Sequence, residues 1–434
     1  MTTPLTDEQV ATDAKQWLEE NYDPDISVAE WLSRLADSGW AAPTWAPDSF
    51  GKGLTNAQAA AAYRVFREAM VPGPPGGLSF MLAAPTIIAH GTEEQKQRYV
   101  RAILTGEEAW CQLFSEPGAG SDLASLQTRA VRDGDEWIVN GQKVWTSGAV
   151  GSDMGMLIAR TNPDAPKHKG ITYFALEMDQ PGVDVRPLKQ ITGQAHFSEV
   201  FFTDARVHND ANIGGLNEGW GVALTTLANE RVGLGGGGAG SFGTSAPGGR
   251  AQAKAREQGL GEFIEKQRKA PSMFSLAGQG GGGRGRGRGA TAMVDLAKSM
   301  GRDKDAIIRQ DIASLYTLNK LSEWNALRAK AAVAAGSRPG PEASIGKLMI
   351  SRITRASRDL GMAIVGAGGM ITGQDAPLSG MMVLQFLGSP APSIYGGTDE
   401  VQKNIVGERV LGLPKEPDVS KDVPFKELKV GTQR

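Results

Sequence analysis

The pattern of apolar and polar positions changes character twice along the chain. Residues 1 to about 105 read as helical, with recurring start signals. Thr6-Asp7-Glu8-Gln9 and Thr92-Glu93-Glu94-Gln95 are capping boxes: the hydroxyl takes the N–H three residues on, and the glutamine reaches back. Ser27-Val28-Ala29-Glu30 repeats the device ahead of Trp31 and Leu32. Ala57 to Met70 is alanine-rich with high helix propensity, and Gly106 ends the last helix. From about 106 the apolar runs become short. Met156–Ile158, Ile171–Leu176 and Val200–Phe202 read as strands, with Asp133-Gly134-Asp135 and Asn140-Gly141 as hairpin turns.

Helical periodicity then returns. Ile308, Ile312, Leu315, Leu318, Leu321, Trp324 and Leu327 mark one apolar face of a long helix, which Pro339 and Pro341 break. A second helix carries Ile345, Leu348, Ile353 and Leu360 and stops near Gly366-Ala367-Gly368-Gly369, so an antiparallel pair is expected. The predicted fold is α+β and multi-domain. An N-terminal helical domain covers 1–105, a middle β domain 106–215, and a C-terminal helical domain 216–434.

One stretch, about 233–292, interrupts this order. Gly233 to Gly240 is nearly all glycine, and Gly278 to Gly289 alternates glycine with Arg284, Arg286 and Arg288. Each glycine costs about 1 kcal/mol against alanine in a helix, so a surface loop is expected. The three arginines could meet a phosphate-bearing ligand or a partner protein. An RNA-binding role is disfavoured, because the tract has no aromatic side chains for stacking.

Composition narrows the classes. With 46 Lys+Arg against 48 Asp+Glu the formal charge is -2, which gives no reason to expect nucleic acid or an anionic membrane as partner. The single cysteine, Cys111, leaves no internal disulfide and suits a reducing compartment. With only four histidines beside it, a structural zinc site is not expected. No signal segment and no run of eighteen apolar residues is found, so a cytoplasmic protein without membrane attachment is the default.

The chemistry concentrates in two segments about thirty residues apart. Leu113 to Asp122 reads Leu-Phe-Ser-Glu-Pro-Gly-Ala-Gly-Ser-Asp, and Val144 to Gly148 reads Val-Trp-Thr-Ser-Gly. They supply hydroxyls, free backbone N–H groups and an indole, which suits a flat cofactor with polar edges, such as a flavin. The order Phe114 to Asp122, followed by Trp137 to Ser147, closely resembles the acyl-CoA dehydrogenase family over roughly residues 5–235 and 300–415.

That resemblance implies FAD as cofactor, an acyl-CoA substrate, dimers or tetramers, and an electron-transfer flavoprotein as acceptor. It implies that Phe114, Ser115, Ser121, Trp145, Thr146 or Ser147, Gly366, Thr398 and Glu400 contact the flavin. Ser121, Arg231, Tyr395 and Gly397 would face substrate. Many members carry a basic glutamate in a Tyr-Glu-Gly-Thr motif. Here the motif is Tyr395-Gly396-Gly397-Thr398, and Gly396 cannot take a proton. A second branch keeps its base on an earlier helix, directly before an arginine. Thr226-Leu227-Ala228-Asn229-Glu230-Arg231 matches that segment, which makes Glu230 the expected base. The alternative for Glu230 is an ordinary helix glutamate paired with a nearby arginine. Gly396 retains the backbone N–H that holds the thioester oxygen in the family. The family's Arg-x-x-Phe-Gly motif is missing; Arg302 and Arg309 lie nearest but with the wrong spacing. The expected activity is α,β-dehydrogenation of an acyl-CoA. The alternatives are an acyl-CoA oxidase or flavin monooxygenase-like relative, or a partner-dependent subunit of a hetero-oligomer.

Overall fold

The computed structural model describes residues 5–234, 241–269, 289–334, 340–417 and 420–429. The helices are α1 (Asp7–Asn21), α2 (Val28–Asp37), α3 (Asn56–Glu68), α4 (Ala84–His90), α5 (Glu93–Gln95), α6 (Arg101–Thr105), α7 (Gly219–Leu234), α8 (Ala253–Arg256), α9 (Leu260–Lys269), α10 (Ala290–Ser299), α11 (Ala306–Ala334), α12 (Ala343–Val365), α13 (Met381–Gly388) and α14 (Asp399–Ile405). Between α6 and α7 lie the strands β1 (Trp110–Leu113), β2 (Arg129–Asp133), β3 (Glu136–Ser147), β4 (Met154–Arg160), β5 (Ile171–Glu177), β6 (Val183–Leu188), β7 (Phe197–His208) and β8 (Asn212–Ile213). They form one sheet in the order β6-β7-β3-β2-β4-β5-β8, with β1 parallel to β4.

The start signals work as the physics of capping requires. Thr6 and Thr92 close full capping boxes, and so does Thr55 with Gln58 at the start of α3. Ser27 completes only half the device: it accepts the Glu30 N–H, but the Glu30 carboxylate turns to Arg34, 2.9 Å away. Gly106 ends α6 in the left-handed conformation, at φ 76°. The hairpin at 133–136 is present, with Asp133 paired to Glu136. Asn140-Gly141, by contrast, is not a turn. β3 runs straight through it with a bulge, and Gly141 is needed because a Cβ there would lie 2.5 Å from the Thr128 hydroxyl.

Two cores result. The larger joins the N-terminal helices to the sheet and takes in Val222 and Ala223 of α7. The smaller lies among α10, α11, α12 and α13. The expected α11–α12 pair forms. The apolar stripe of α11 is only half covered, however. Ile308 and Leu315 are buried, whereas Leu321, Trp324 and Leu327 are exposed, because α12 and α10 cover only the first part of the helix.

The surface-loop reading of 233–292 needs correction in its middle. Residues 241–269 fold against the N-terminal helices. Phe242 stacks on Phe66 at 5.1 Å and meets Tyr63 edge-on, and Leu260, Phe263 and Ile264 are buried. Bridges at Gly73–Ser245 and Ser27–Gly259 fasten both ends. Gly233 and Leu234 close α7, whereas residues 235–240 and 270–288, with Arg284, Arg286 and Arg288, lie outside the described residues.

Candidate active site

The loop after β1 is held by a buried ion pair. Successive inward positions of β3 are Trp137, Val139 and, past the bulge, Lys143, which is fully enclosed. Its ammonium donates to the Glu116 carboxylate and to the Phe114 carbonyl, both at 2.9 Å. Glu116 also accepts the N–H groups of Gln127 (2.6 Å) and Thr128 (2.9 Å). Burial works against the Glu116 charge, but Lys143 and these donors outweigh it and hold its pKa below the usual carboxylate range. Burial pushes the Lys143 pKa down, against the pull of Glu116. Asp122 accepts from Ser125 and pairs with Lys167 at 2.9 Å. Both acids therefore fix the glycine loop by local bonds.

The loop and β3 meet directly, since the Val144 N–H donates to the Ser115 carbonyl at 2.9 Å. The next residue, Trp145, has φ 61° within a strand, at a register shift between Lys143 and Thr146. Left-handed backbone costs a non-glycine residue roughly 1–2 kcal/mol. Its effect is to turn the indole outward: Trp145 is 58% exposed, flanked edge-on by Phe197. Thr146 is fully enclosed and its hydroxyl has no partner among the described residues, while Ser147 keeps open surface. Ser121 is exposed and Ser115 half-buried.

A chain of contacts leads from this loop to α7. Phe114 meets the Tyr173 ring edge-on at 6.0 Å, the Tyr173 hydroxyl lies 3.3 Å from that of Thr226, and Thr226 lies 2.9 Å from Thr86. Thr225, beside it, meets His90 at 2.7 Å. Residues four apart share a helix face, so half-buried Glu230 continues the Thr226 stripe one turn on. The side chain of Arg231 lies outside the described residues.

The Tyr395–Thr398 turn is anchored on α12, which also packs against α7. Asp399 is buried and bonded to Ser351 (2.7 Å), Arg355 (3.1 Å) and Lys347 (3.3 Å). Burial opposes its charge, yet these partners keep its pKa low. Arg355 also reaches Ser393, so it spans the turn from both sides. Thr398 caps α14 by accepting the Val401 N–H, and Glu400 is exposed, 3.7 Å from Lys403. Gly396 and Gly397 have φ of 64° and 82°. Gly366 lies fifteen positions along α12 from Ser351, about 20 Å at 1.5 Å per residue, so one chain does not gather it with the Gly396 turn. Arg302 binds the Ala363 carbonyl and Asp305, which leaves it engaged within its own chain.

Lys143, Lys347, Asp399 and Gln402 escaped the sequence reading. Only Lys143 carries a signal, a charge on the inward period that Trp137 and Val139 mark. The others depend on helices meeting in space.

Comparison with known proteins agrees with this layout. Three family models match in order: acyl-CoA dehydrogenase N-terminal domain at residues 1–107, middle domain at 111–205 and C-terminal domain at 288–411. Acyl-CoA dehydrogenase IpdE1 of Mycobacterium tuberculosis is 36% identical over 392 residues, covering 89% of this chain and 88% of that protein. Acyl-CoA dehydrogenase FadE34 of the same organism is 38% identical over 88% of this chain, which spans only 46% of FadE34's length. Among solved structures, the Tcur3481-Tcur3483 steroid ACAD aligns with a TM-score of 0.66 at 25% identity, covering 96% of this chain and 99% of that one. The ChsE4-ChsE5 complex of Mycobacterium tuberculosis gives 0.62 at 25% identity, with 96% and 100% covered. A helical layer, a bulged sheet that turns a tryptophan outward, a helical pair carrying a Tyr-Gly-Gly-Thr turn, and these matches in sequence order together make the chain a member of the acyl-CoA dehydrogenase family.

Proposed function

We propose that this protein, with FAD, oxidises an acyl-CoA thioester to its trans-2-enoyl form, with Glu230 as the base. The observation that carries the assignment is the exchange of carboxylates. The Tyr-Gly-Gly-Thr turn has no acid at Gly396, while Glu230 lies on the α7 face that Thr226 links to the Phe114 loop.

The residues present suit a flavin. Trp145 offers an exposed ring plane, and the hydroxyls of Ser115, Ser121 and Ser147 engage no described residue. In this reading Ser147 rather than enclosed Thr146 meets the ring, with Phe114 backbone, Thr398 and Glu400 of the same chain and Gly366 from a second copy completing the contacts. FAD supplies the acceptor for the β-hydride. Glu230 takes the α-proton, and the Gly396 N–H, with that of Gly397 beside it, polarises the thioester oxygen as charge develops there. Tyr395 and Arg231 border the acyl chain. Electrons leave to an electron-transfer flavoprotein.

A bulky acyl group, of the kind the steroid ACAD is named for, fits this branch better than a short straight chain. A second reading, a subunit completed by a different chain, is favoured by the two-component complexes among the structural relatives and by Arg302 being engaged within its own chain.

The test is an oxygen-free titration of the FAD-supplemented protein with acyl-CoAs, short to steroid-sized, beside Glu230→Gln. Bleaching of the flavin band in the parent, slowed about 10²- to 10⁴-fold in the variant with FAD still bound, is expected. Unslowed bleaching in the variant would remove Glu230 as base. Failure of the parent to hold FAD alone would favour the two-chain reading.

A further inference from the structure

The Gly396–Gly397 turn needs something to hold its direction, because two adjacent glycines are the least constrained pair a chain can contain. The residue that does so is Gln402, one turn into α14. Its side-chain amide donates to the Gly396 carbonyl at 2.8 Å, and Gln402 is 1% exposed. The peptide that this bond grips is planar and trans, so the Gly397 N–H points opposite to the gripped carbonyl, away from Gln402. Among the described residues neither glycine N–H donates to another group. The fit is close: a Cβ on Gly397 would sit 2.5 Å from the Gln402 amide nitrogen. Gln402 is itself carried by the helix whose first residue, Asp399, is locked to Lys347, Ser351 and Arg355.

We propose that Gln402 is a positioning residue for thioester polarisation. It touches neither substrate nor cofactor; it fixes the Gly396–Gly397 peptide plane, which aims the Gly397 N–H directly and, by holding one side of the Gly396 Cα, restrains the neighbouring peptide that carries the Gly396 N–H before substrate arrives. A preset donor costs no reorganisation as charge develops, and a misaimed one loses most of its worth. This rests on the dehydrogenase reading given above.

The test compares the parent with Gln402→Leu and isosteric Gln402→Glu, which lacks the amide donor at neutral pH. Three readouts are taken on the full chain with FAD: thermal stability, amide hydrogen exchange across 394–398, and turnover with an acyl-CoA that bleaches the parent. Faster exchange in the turn is expected, with kcat down about 10- to 100-fold and KM changed less than about threefold. Equal losses in kcat and FAD binding would mark Gln402 as purely structural and overturn the proposal, as would unchanged exchange in a folded variant. If no acyl-CoA bleaches the parent, the dehydrogenase reading fails first. Faster exchange in the variants would then leave Gln402 as a fold-stabilising clamp only, which also overturns the catalytic role.

Discussion

Two buried ion clusters lie under the candidate site, and they are finished to different degrees. Under the β1 loop, Lys143 and Glu116 are enclosed within the larger core, and every partner comes from the sheet or its loops. Under the Gly396 turn, Asp399 and Lys347 are as deeply buried, but Arg355 keeps 45% of its side chain open. The bundle around it leaves Leu321, Trp324 and Leu327 in the open. The ion cluster on the sheet side is closed within one chain. The helical side presents apolar surface of the kind that marks contact with another chain.

The sharpest way to break the comparison is at Lys143. Lys143→Met leaves Glu116 buried without its cation, with an expected loss of about 3 to 5 kcal/mol in chemical denaturation. A loss under 1 kcal/mol would show that the sheet side is less self-reliant than it looks. Next comes Gly397→Ala, which meets both a φ of 82° and the Gln402 amide. A loss of about 1 to 3 kcal/mol is expected, read as a lower Tm. The double change Trp324→Ser, Leu327→Ser should shift stability of the isolated chain by under about 0.5 kcal/mol. It should nevertheless lower the mass seen by light scattering, where the parent is expected to run above its 45.9 kDa chain mass. A monomeric parent would count against the contrast.

Acid should act on both clusters. Glu116 and Asp399 have pKa values below their ordinary ones when folded. The stability they add is therefore full above the normal carboxylate range and fades as pH falls through the depressed values. Glu116→Gln should flatten the acid limb of a stability profile while lowering stability at neutral pH. The smallest effect concerns Cys111, whose thiol is buried and pushed up to about 12. It should resist alkylation at pH 8 until the protein unfolds.

Much of this was legible in the chain itself. Capping boxes at Thr6 and Thr92, the 133–136 hairpin and the α11–α12 pair follow from local chemistry, and the structure contains them. Asn140-Gly141 misled because its turn signature is also what a bulge requires when a neighbouring strand end presses on it. The α11 periodicity identified a helix face but not what covers it, since burial depends on partners remote in sequence. The roles assigned to Trp145 and Glu230 came from resemblance; spacing alone gives neither the outward indole nor the Thr226 stripe. Gln402 reads as an ordinary helix residue until α14 is set against its turn.

The packing of Phe242 on Phe66 carries a consequence for synthesis. These residues are 176 positions apart, and the strap between Phe242 and Ile264 supplies side chains the first helices cannot bury without it. During translation the N-terminal layer emerges early but stays unsealed until the whole sheet and the start of α9 have left the ribosome. Such long-range closure slows folding and prolongs exposure of apolar surface. A fragment cut after Gly106 would thus be an unfinished layer rather than a domain, prone to aggregate where the full chain is not.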